Sequence, residues 1–225
     1  MSISENEARI LVRDGGLKLM TEGLIARTWG NISVRLDKER YVITPSGRAY
    51  DDLTPEEMVV VNAKTGDWEG DLKPSSEYKL HSAIYLDRKD IGAVIHTHQT
   101  NASVVAAARR EVPAILDDQV QILGPSVRVA DYALPSTNKV VKATLKALKG
   151  RNAALMANHG AVCIGATMDD AFVACLVLEK ACKAFIEAAF LGGAKTINFF
   201  EAHLMHQYYL RKYSKQNTKN RRSKD

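Results

Sequence analysis

Short apolar runs typical of strands alternate with longer stretches at helical spacing along most of this 225-residue chain. The runs Ile32 to Leu36 and Arg40 to Thr44 are separated by three polar residues, which suits a hairpin, and Val59 to Asn62 predicts another strand. Apolar runs at Ile91 to His96 and Ala153 to Ala157 predict further strands. Helices and strands that alternate in this way favour a layered α/β fold with a central sheet.

Several stretches have the apolar spacing or the starting residues expected of helices. They are Glu5 to Leu24, Ser75 or Ser76 to Arg88, Asn101 to Arg109, Thr137 to Leu148, Met168 to Leu191 and Phe199 to Tyr213. A turn at Asn158 to Gly160 precedes one more strand, Ala161 to Ile164. The helix near Ser75 matters most for function, because hydroxyl groups there can cap free backbone N–H groups and Glu77 follows at once.

Composition and charge indicate one folded domain and a short tail. A hydrophobic content of 46% over 225 residues supports one buried core and leaves little for a second. We predict a domain over residues 1–213 and a disordered basic tail over residues 214–225. The formal net charge of +5 comes from the C-terminal end of the chain, since Arg211 to Asp225 carry seven Lys or Arg and one Asp. A solvated tail is not a basic patch on a folded surface, so we expect no nucleic-acid partner.

The sequence also predicts the compartment and the state of the cysteines. No stretch approaches the roughly 20 apolar residues of a membrane-spanning helix, and the first ten residues are polar and acidic. We expect a cytoplasmic protein with no membrane partner. Of the three cysteines, Cys175 and Cys182 lie in an apolar helical pattern, which is typical of buried thiols. We expect no disulfide and no cysteine metal ligand.

The strongest chemical signal is His96-Thr97-His98 at the end of a predicted strand. Side chains alternate faces along a strand, so the two histidines point the same way and can reach one metal ion. Catalytic zinc usually has three or more protein ligands, and His159, in a tight turn after a later strand, is the candidate third. Glu77 can supply a fourth ligand or act as a base. The alternative is a pair of strand histidines that bond only to their neighbours.

The other three histidines carry weaker signals. His81 lies four residues after Glu77 on the same helical face, and we favour a packing role for it. His203 and His206 are close together on the last predicted helix, with only Glu201 as a nearby carboxylate. We therefore place these two at a surface or an interface.

Three short loops rich in hydroxyl and glycine residues are candidates for holding a phosphate. They are Thr28-Trp29-Gly30-Asn31, Thr44-Pro45-Ser46-Gly47 and Pro74-Ser75-Ser76-Glu77. Each can be an ordinary turn. The third loop opens a helix, where free N–H groups and the positive end of the helix dipole favour an anion. A phosphate bound there would place the rest of the molecule over the metal.

Five motifs in this order resemble the class II aldolase/adducin-head family over roughly Glu5 to Tyr209. They are Gly-Asn-Ile-Ser (30 to 33), Ile-Thr-Pro-Ser-Gly (43 to 47), Pro-Ser-Ser-Glu (74 to 77), His-Thr-His (96 to 98) and Asn-His-Gly (158 to 160). Within the family, the L-fuculose-1-phosphate aldolases are the most similar. The resemblance implies a three-layer α/β/α fold with a central, mainly antiparallel sheet. It also implies a homotetramer with active sites at subunit interfaces.

The resemblance further implies the site and its chemistry. It implies one Zn²⁺ per subunit, or another divalent transition metal, on Glu77, His96, His98 and His159, with Glu77 also as acid and base. Phosphate contacts are implied for Thr28, Asn31, Ser46, Gly47, Ser75 and Ser76. The implied reaction is aldol cleavage of a ketose 1-phosphate, similar to L-fuculose 1-phosphate, into dihydroxyacetone phosphate and an aldehyde. No Schiff-base lysine takes part.

The chain departs from the aldolase pattern on the aldehyde side of the site. Asp117, in Leu116-Asp117-Asp118-Gln119, stands where those aldolases have a tyrosine acid, and an aspartate in this region serves the 4-epimerases. Asp117 is therefore a candidate catalytic residue, and a solvated loop is its alternative. A C-terminal tyrosine completes some sites of the family. Among Tyr208, Tyr209 and Tyr213 we select Tyr209 as the candidate.

Alternatives to aldol cleavage stay open at this point. One is a retro-aldol epimerase of the L-ribulose-5-phosphate 4-epimerase type, and another is a decarboxylase of a phosphorylated 3-oxo sugar acid. A third is a non-catalytic interaction module similar to the adducin head, which has the fold without the metal site. The intact set of Glu77, His96, His98 and His159 favours an enzyme.

Overall fold

A seven-stranded sheet forms the centre of the computed structural model, which describes residues 3–25 and 28–213. The strands are β1 Asn31–Arg35, β2 Arg40–Ile43, β3 Val59–Asn62, β4 Ala93–Thr97, β5 Val129–Ala130, β6 Ala153–Met156 and β7 Gly160–Gly165. They lie in the order β3-β2-β1-β4-β7-β6-β5. Every neighbouring pair is antiparallel except β5 and β6, so the prediction of a mainly antiparallel sheet is confirmed. The predicted tail, residues 214–225, lies outside the described residues.

Helices cover both faces of the sheet. In the described part of the chain they are α1 Glu5–Thr21, α2 Tyr78–Asp87, α3 Thr100–Ala107, α4 Asp117–Leu123, α5 Asn138–Leu148, α6 Met168–Phe190 and α7 Phe199–Tyr208. A π-helical turn, Tyr209–Tyr213, continues α7. Helices α1, α3, α4 and α6 pack on one face, and α2 and α5 pack on the other. The predicted three-layer α/β/α fold is confirmed.

Alternate residues of the central strands face the two helical layers. Ile95 of β4 and Cys163 of β7 pack with α1, α3 and α6, whereas Val94 and Ile164 pack with α2 and α5. Strands that are covered on both faces have continuous apolar sequences, which is why β4 and β7 were recognisable as strands. The three cysteines are buried free thiols, as expected for core residues.

The structure corrects the predicted start of α2. The helix begins at Tyr78, so Glu77 occupies the residue before it rather than its first turn. The reason is a turn in which the backbone N–H of Tyr78 donates to the carbonyl of Ser75 at 3.0 Å. Glu77 is therefore held by this turn on one side and by the rigid helix on the other.

One of these α-helices and one of these strands were not predicted. Helix α4 has seven residues and β5 has two, and elements this short do not show a period in the sequence. Helix α4 begins at Asp117, so the interpretation of this residue as part of a solvated loop is wrong. No helix in the described ranges is long and apolar enough to cross a membrane.

Strand register gathers the functional motifs at one end of the sheet. Asn31 of β1 pairs with His96 of β4, and His96 pairs with Val162 of β7. The tight turn between β6 and β7 holds Asn158 and His159, and Asn158 has a positive φ of 56°. The start of β1, the end of β4 and this turn therefore meet at one edge.

The carboxylate of Glu179 on α6 caps the N-terminus of α3, the helix that follows His98. It accepts hydrogen bonds from the backbone N–H of Asn101 at 2.8 Å, from the Asn101 side-chain amide at 2.7 Å, and from the backbone N–H of Ala102 at 3.1 Å. We predict that Glu179→Ala lowers the free energy of unfolding by about 2 kcal/mol, because hydrogen bonds to a charged acceptor contribute roughly 1.5–3 kcal/mol. Urea denaturation measures the change.

Glu187→Ala is the matched control for this prediction. Glu187 lies on the same helix, its side chain is 63% exposed, and it faces Lys183 at 3.8 Å. Its loss is expected to change the unfolding free energy by less than about 0.5 kcal/mol. Equal losses for the two variants would contradict the capping role of Glu179.

Candidate active site

Three histidine side chains meet where β4 ends and the β6–β7 turn begins. The ring centroids of His96, His98 and His159 lie 4.8 to 5.0 Å apart. One nitrogen of each ring lies within 4.8 Å of the corresponding nitrogen of the other two. Nitrogens bound to a single tetrahedral zinc ion would be about 3.4 Å apart. Small side-chain rotations therefore bring all three rings onto one ion.

The ring of His96 is fixed in the tautomer that a metal site requires. Its Nδ1 lies 2.9 Å from the carbonyl oxygen of Ala161, which can only accept, so Nδ1 carries the hydrogen. The lone pair of Nε2 then faces the other histidines, and Nε2 of His98 is 2.9 Å away. A ligating histidine commonly donates its second N–H to a backbone carbonyl in this way.

Glu77 closes the fourth side of the cluster. Its Oε2 lies 3.1 Å from His96 Nε2, and its Oε1 lies 3.6 Å from His159 Nε2. Although buried, Oε2 receives no hydrogen bond from any described residue, and the same holds for Nδ1 of His159. Leaving a buried carboxylate oxygen without a partner costs free energy. A bound cation would remove that cost, and three imidazoles with one carboxylate suit a divalent transition metal.

Electrostatics keep these groups in their metal-binding protonation states. Burial lowers the pKa of His98 to about 4, with the neighbouring histidines acting in the same direction. Burial also lowers the pKa of His159. For Glu77, burial alone would raise the pKa, but the electrostatic effect of the nearby His96 and His159 is larger and in the opposite direction, so the net change is downward. Neutral imidazoles and an ionised carboxylate are the forms that bind a metal ion.

Gly160 allows the β6–β7 turn to come close to β4. A Cβ atom at this position would lie 2.4 Å from the carbonyl oxygen of Thr97 and 3.0 Å from the His98 ring. Any side chain would therefore push His159 away from the other two histidines. The tight turn predicted at Asn158-His159-Gly160 is present for this reason.

The predicted phosphate loops line the same cavity as the histidine cluster. The lining includes Thr28, Asn31, Ser46, Gly47, Ser75 and Ser76, together with Glu77 and the three histidines. Two of the loops are joined by backbone hydrogen bonds, from Ser46 N to Lys73 O at 2.9 Å and from Ser75 N to Thr44 O at 3.0 Å. The six residues are thus brought together, and their contact with phosphate stays a prediction.

Sequence reasoning did not assign a role to Trp29 or Pro135, which also line the cavity. Trp29 is 61% exposed, and its ring stacks on His98 with centroids 6.5 Å apart and an interplanar angle of 22°. Trp29 belongs to one of the predicted loops, so its neighbourhood was visible in the sequence although its orientation was not. Pro135 follows β5, and no motif marks it.

Asp117 and Tyr209 lie outside the lining of this cavity within one chain. Asp117 is exposed at the start of α4. Tyr209 lies beside Ile91 and Gly165, at the opposite end of β4 and β7. A five-residue strand spans roughly 16 Å, so Tyr209 does not reach the histidines of the same chain. The catalytic roles of both residues stay predictions.

The remaining histidines have separate environments. His203 is exposed, as predicted. The surface placement of His206 is wrong, because α7 packs on α4 and the buried His206 Nδ1 donates to the carbonyl of Gln121 at 2.9 Å. His81 is fully buried, which agrees with a packing role, and both of its ring nitrogens are hydrogen-bonded.

The fold and the site define an α/β protein in which three histidines suitable for a metal ion and a buried carboxylate line one cavity with the hydroxyl and glycine loops. Residues 12–186 match the family described as Class II Aldolase and Adducin N-terminal domain, and the chain belongs to this family.

Similar proteins of known name support this assignment. The chain is 36% identical over 167 residues to a 5-methylthioribulose-1-phosphate/5-deoxyribulose-1-phosphate aldolase of Rhodospirillum rubrum, covering 74% of this chain and 75% of that protein. It is 31% identical over 216 residues to an L-ribulose-5-phosphate 4-epimerase of Salmonella paratyphi C, covering 90% and 93%. A solved L-fuculose 1-phosphate aldolase superposes with a TM-score of 0.87 at 33% identity, covering 93% and 98%.

The geometry predicts that His98→Ala removes tight metal binding while the protein stays folded. His98 is half-buried and makes its close contacts within the cluster, so its truncation removes a ligand without opening the apolar core. We expect Zn²⁺ affinity, measured by calorimetric titration of the chelator-treated protein, to fall at least roughly 100-fold. His203→Ala, at an exposed histidine, is the control and is expected to bind as wild type. Unchanged binding by His98→Ala would remove it from the ligand set.

The position of Trp29 over His98 predicts a spectroscopic signal. The chain has two tryptophans, so Trp68→Phe leaves Trp29 as the only tryptophan, which can be excited apart from the tyrosines. Because its ring stacks on a metal ligand, Co²⁺ is expected to quench its fluorescence strongly and to saturate at one ion per chain. Adding His98→Ala to this variant should abolish the saturable quenching. Weak, unsaturable quenching in the parent variant would place the ion elsewhere.

Proposed function

We propose that this protein is a zinc-dependent aldolase that cleaves a ketose 1-phosphate into dihydroxyacetone phosphate and an aldehyde. The observation that carries the proposal is one cavity lined by both the metal cluster and the hydroxyl and glycine loops. A sugar phosphate needs an anion site and a carbonyl site a few ångströms apart, and the loops and the histidines of this cavity are the candidates for the two. Relatives named as ketose-1-phosphate aldolases support it.

The loops would hold the phosphate end of the substrate. Ser46 and Gly47 form one wall, Ser75 and Ser76 form the adjoining wall, and Asn31 lies opposite His96 on the paired strand. Hydroxyl and amide N–H groups donate hydrogen bonds to phosphate oxygens, and the start of α2 adds the positive end of its dipole. Held in this way, the ketone of a 1-phosphate would point towards the histidines.

The reaction requires a polarised ketone and a proton carrier. Zinc on the cluster would supply Lewis acidity to the ketone oxygen. In the synthetic direction, the Glu77 carboxylate would remove a proton from the carbon beside the ketone. In cleavage, the protonated Glu77 would return a proton to the same carbon after the bond to the aldehyde carbon has broken. Glu77 lines the cavity, and its pKa is shifted downward, which favours the ionised carboxylate that acts as the base.

A second proton has to leave the hydroxyl group that becomes the aldehyde. We propose that the protein is a homotetramer in which Asp117 and Tyr209 approach this group from a neighbouring subunit. Both lie outside the cavity of their own chain. Large apolar side chains exposed near the C-terminal helices support an assembly that covers them. They are Phe190, Leu191, Phe199, Phe200 and Leu204.

The remaining expectations are kept as proposals. We place the protein in the cytoplasm, with residues 1–213 as one domain and residues 214–225 as a basic tail. The sugar is proposed to be similar to L-fuculose 1-phosphate. The name of the Rhodospirillum rubrum relative adds 5-deoxyribulose and 5-methylthioribulose 1-phosphates as substrates to test.

A 4-epimerase acting on L-ribulose 5-phosphate is the second candidate function. Asp117 favours it, because this position departs from the tyrosine expected for the aldolases. A relative that is named as an epimerase, and that this chain covers over 93% of its length, also supports it. Such an epimerase breaks the same type of carbon–carbon bond, and the bond forms again on the other face of the aldehyde after the aldehyde has rotated. The two functions therefore share the metal site and differ on the aldehyde side.

We expect the zinc-loaded protein to release dihydroxyacetone phosphate from at least one ketose 1-phosphate. A coupled assay on the fuculose, rhamnulose, ribulose, 5-deoxyribulose and 5-methylthioribulose forms measures this. A chelator should abolish release, and Zn²⁺ should restore it. Glu77→Gln should lower kcat by roughly 10²–10⁴-fold, the usual contribution of a positioned acid or base. Glu187→Gln, on the exposed face of α6, is the control for the loss of a carboxylate.

Failure to release this product from every sugar would overturn the aldolase proposal. Zinc-loaded protein would then be incubated with L-ribulose 5-phosphate and its C4 epimer measured. Formation of the epimer, with its loss in Asp117→Asn, would establish the second function.

A further inference from the structure

A buried chain of hydrogen bonds links helix α2 to Asn31 in the cavity wall. The hydroxyl of Tyr85 lies 2.8 Å from Ser33 Oγ, and Ser33 Oγ lies 2.6 Å from His81 Nδ1. Nε2 of His81 in turn lies 2.5 Å from Asn31 Oδ1. All four side chains are buried. A continuous polar path therefore runs through an otherwise apolar layer and ends at the cavity.

The spacing of these residues explains why the path can form. Asn31 and Ser33 are two residues apart on β1, so their side chains point to the same face of the sheet. His81 and Tyr85 are four residues apart on α2, so they share one helical face. Helix α2 packs on that face of the sheet, and the two pairs interlock.

The direction of each of these hydrogen bonds follows from the last acceptor in the series, the side-chain oxygen of Asn31. An amide oxygen only accepts, so Nε2 of His81 carries the hydrogen. The neutral ring then accepts at Nδ1 from the hydroxyl of Ser33, and Ser33 accepts from Tyr85. Burial lowers the pKa of His81 to about 3, which keeps the ring neutral.

The fixed direction determines which end of the Asn31 amide enters the cavity. Its oxygen is held by His81, so its NH₂ group is turned towards the cavity. The flipped amide would occupy nearly the same space but would present an oxygen to an anion, which is repulsive.

We propose that His81 is a positioning residue that holds the Asn31 amide with its N–H donors towards the substrate phosphate. The inference rests on the proposed function, because the phosphate contact of Asn31 is part of it. His81 contacts neither the phosphate nor the metal in this scheme. Its action passes through Asn31, and this distinguishes it from a histidine that only fills space.

The test uses inorganic phosphate as the probe and the zinc-loaded protein as the sample. Calorimetry is expected to show phosphate binding weakened about tenfold in His81→Leu, the loss of roughly one charge-assisted hydrogen bond. KM for the cleaved ketose 1-phosphate should rise by a similar factor, while kcat changes less than about threefold, because phosphate binding is uniform along the reaction. His81→Gln keeps one donor and one acceptor and should retain most of the affinity.

A double variant tests whether His81 acts through Asn31. Asn31→Ala alone should weaken phosphate binding, and adding His81→Leu should then cause no further loss, since the group being positioned is absent. Zinc content, measured in parallel, should stay at the wild-type level in all of these proteins. Additive losses would mean that His81 acts by another route and would overturn the proposal.

Two buried serines provide a matched pair in case His81→Leu does not fold. Ser33 bonds the Tyr85 hydroxyl and His81, whereas Ser82 bonds the Tyr41 hydroxyl at 2.9 Å and has no link to Asn31. Ser33→Ala frees His81 Nδ1 to carry the hydrogen and should weaken phosphate binding about threefold. Ser82→Ala should bind phosphate as wild type.

The outcomes separate this inference from the proposed function. A folded, zinc-loaded His81→Leu with wild-type phosphate affinity would overturn the positioning role, as would equal losses in the two serine variants. Wild-type protein that binds zinc but neither phosphate nor any ketose phosphate would instead overturn the proposed function, and the inference with it.

Discussion

The register of β1, β4 and β7 is the constraint on which the site depends. It places Asn31 beside His96 and sets Ala161 against Thr97, so that the carbonyl of Ala161 can fix the His96 ring. A slip of one residue would turn His96 to the opposite face of the sheet, into the apolar layer of α1, α3 and α6. Because β4 is covered on both faces, such a slip would also turn each of its apolar side chains to the opposite helical layer. The apolar core and the metal cluster therefore specify the same register.

The cluster itself is costly in the absence of a cation. It gathers three imidazoles and a buried carboxylate, and one carboxylate oxygen receives no hydrogen bond from the described residues. Gly160 permits the close approach of the β6–β7 turn, and any larger residue would separate the rings. The fold thus stabilises an arrangement that the four side chains would not adopt alone, and this is expected of a site prepared for a charged ligand.

Much of the fold and the histidine cluster could be predicted from local sequence rules, whereas the other features of the site and the fold depend on tertiary contacts. Alternation on a strand predicted that His96 and His98 share a face, and a glycine after His159 predicted the tight turn. Helix α4 and strand β5 are too short to show a period. The burial of His206 depends on how α7 packs against α4, and the stacking of Trp29 depends on a loop conformation. Neither has a local signature. Asp117 and Tyr209 lie outside the lining of the cavity, so the roles proposed for them do not follow from the fold of one chain.

Helix α2 combines these constraints, because it follows Glu77 directly and carries a line of buried polar groups. Apolar contacts alone tolerate small shifts of a helix along a sheet, whereas directional hydrogen bonds do not. The Tyr41 hydroxyl donates to the carbonyl of Tyr78 at the start of the helix, and the guanidinium of Arg35 donates to the carbonyls of Tyr85 and Arg88 near its end. Buried polar groups lower the stability of a fold little when all of them are hydrogen-bonded. Their directional bonds then fix the position of the helix on the sheet. The position of the carboxylate beside the histidines is then set by the whole length of α2 rather than by the turn at Ser75 alone.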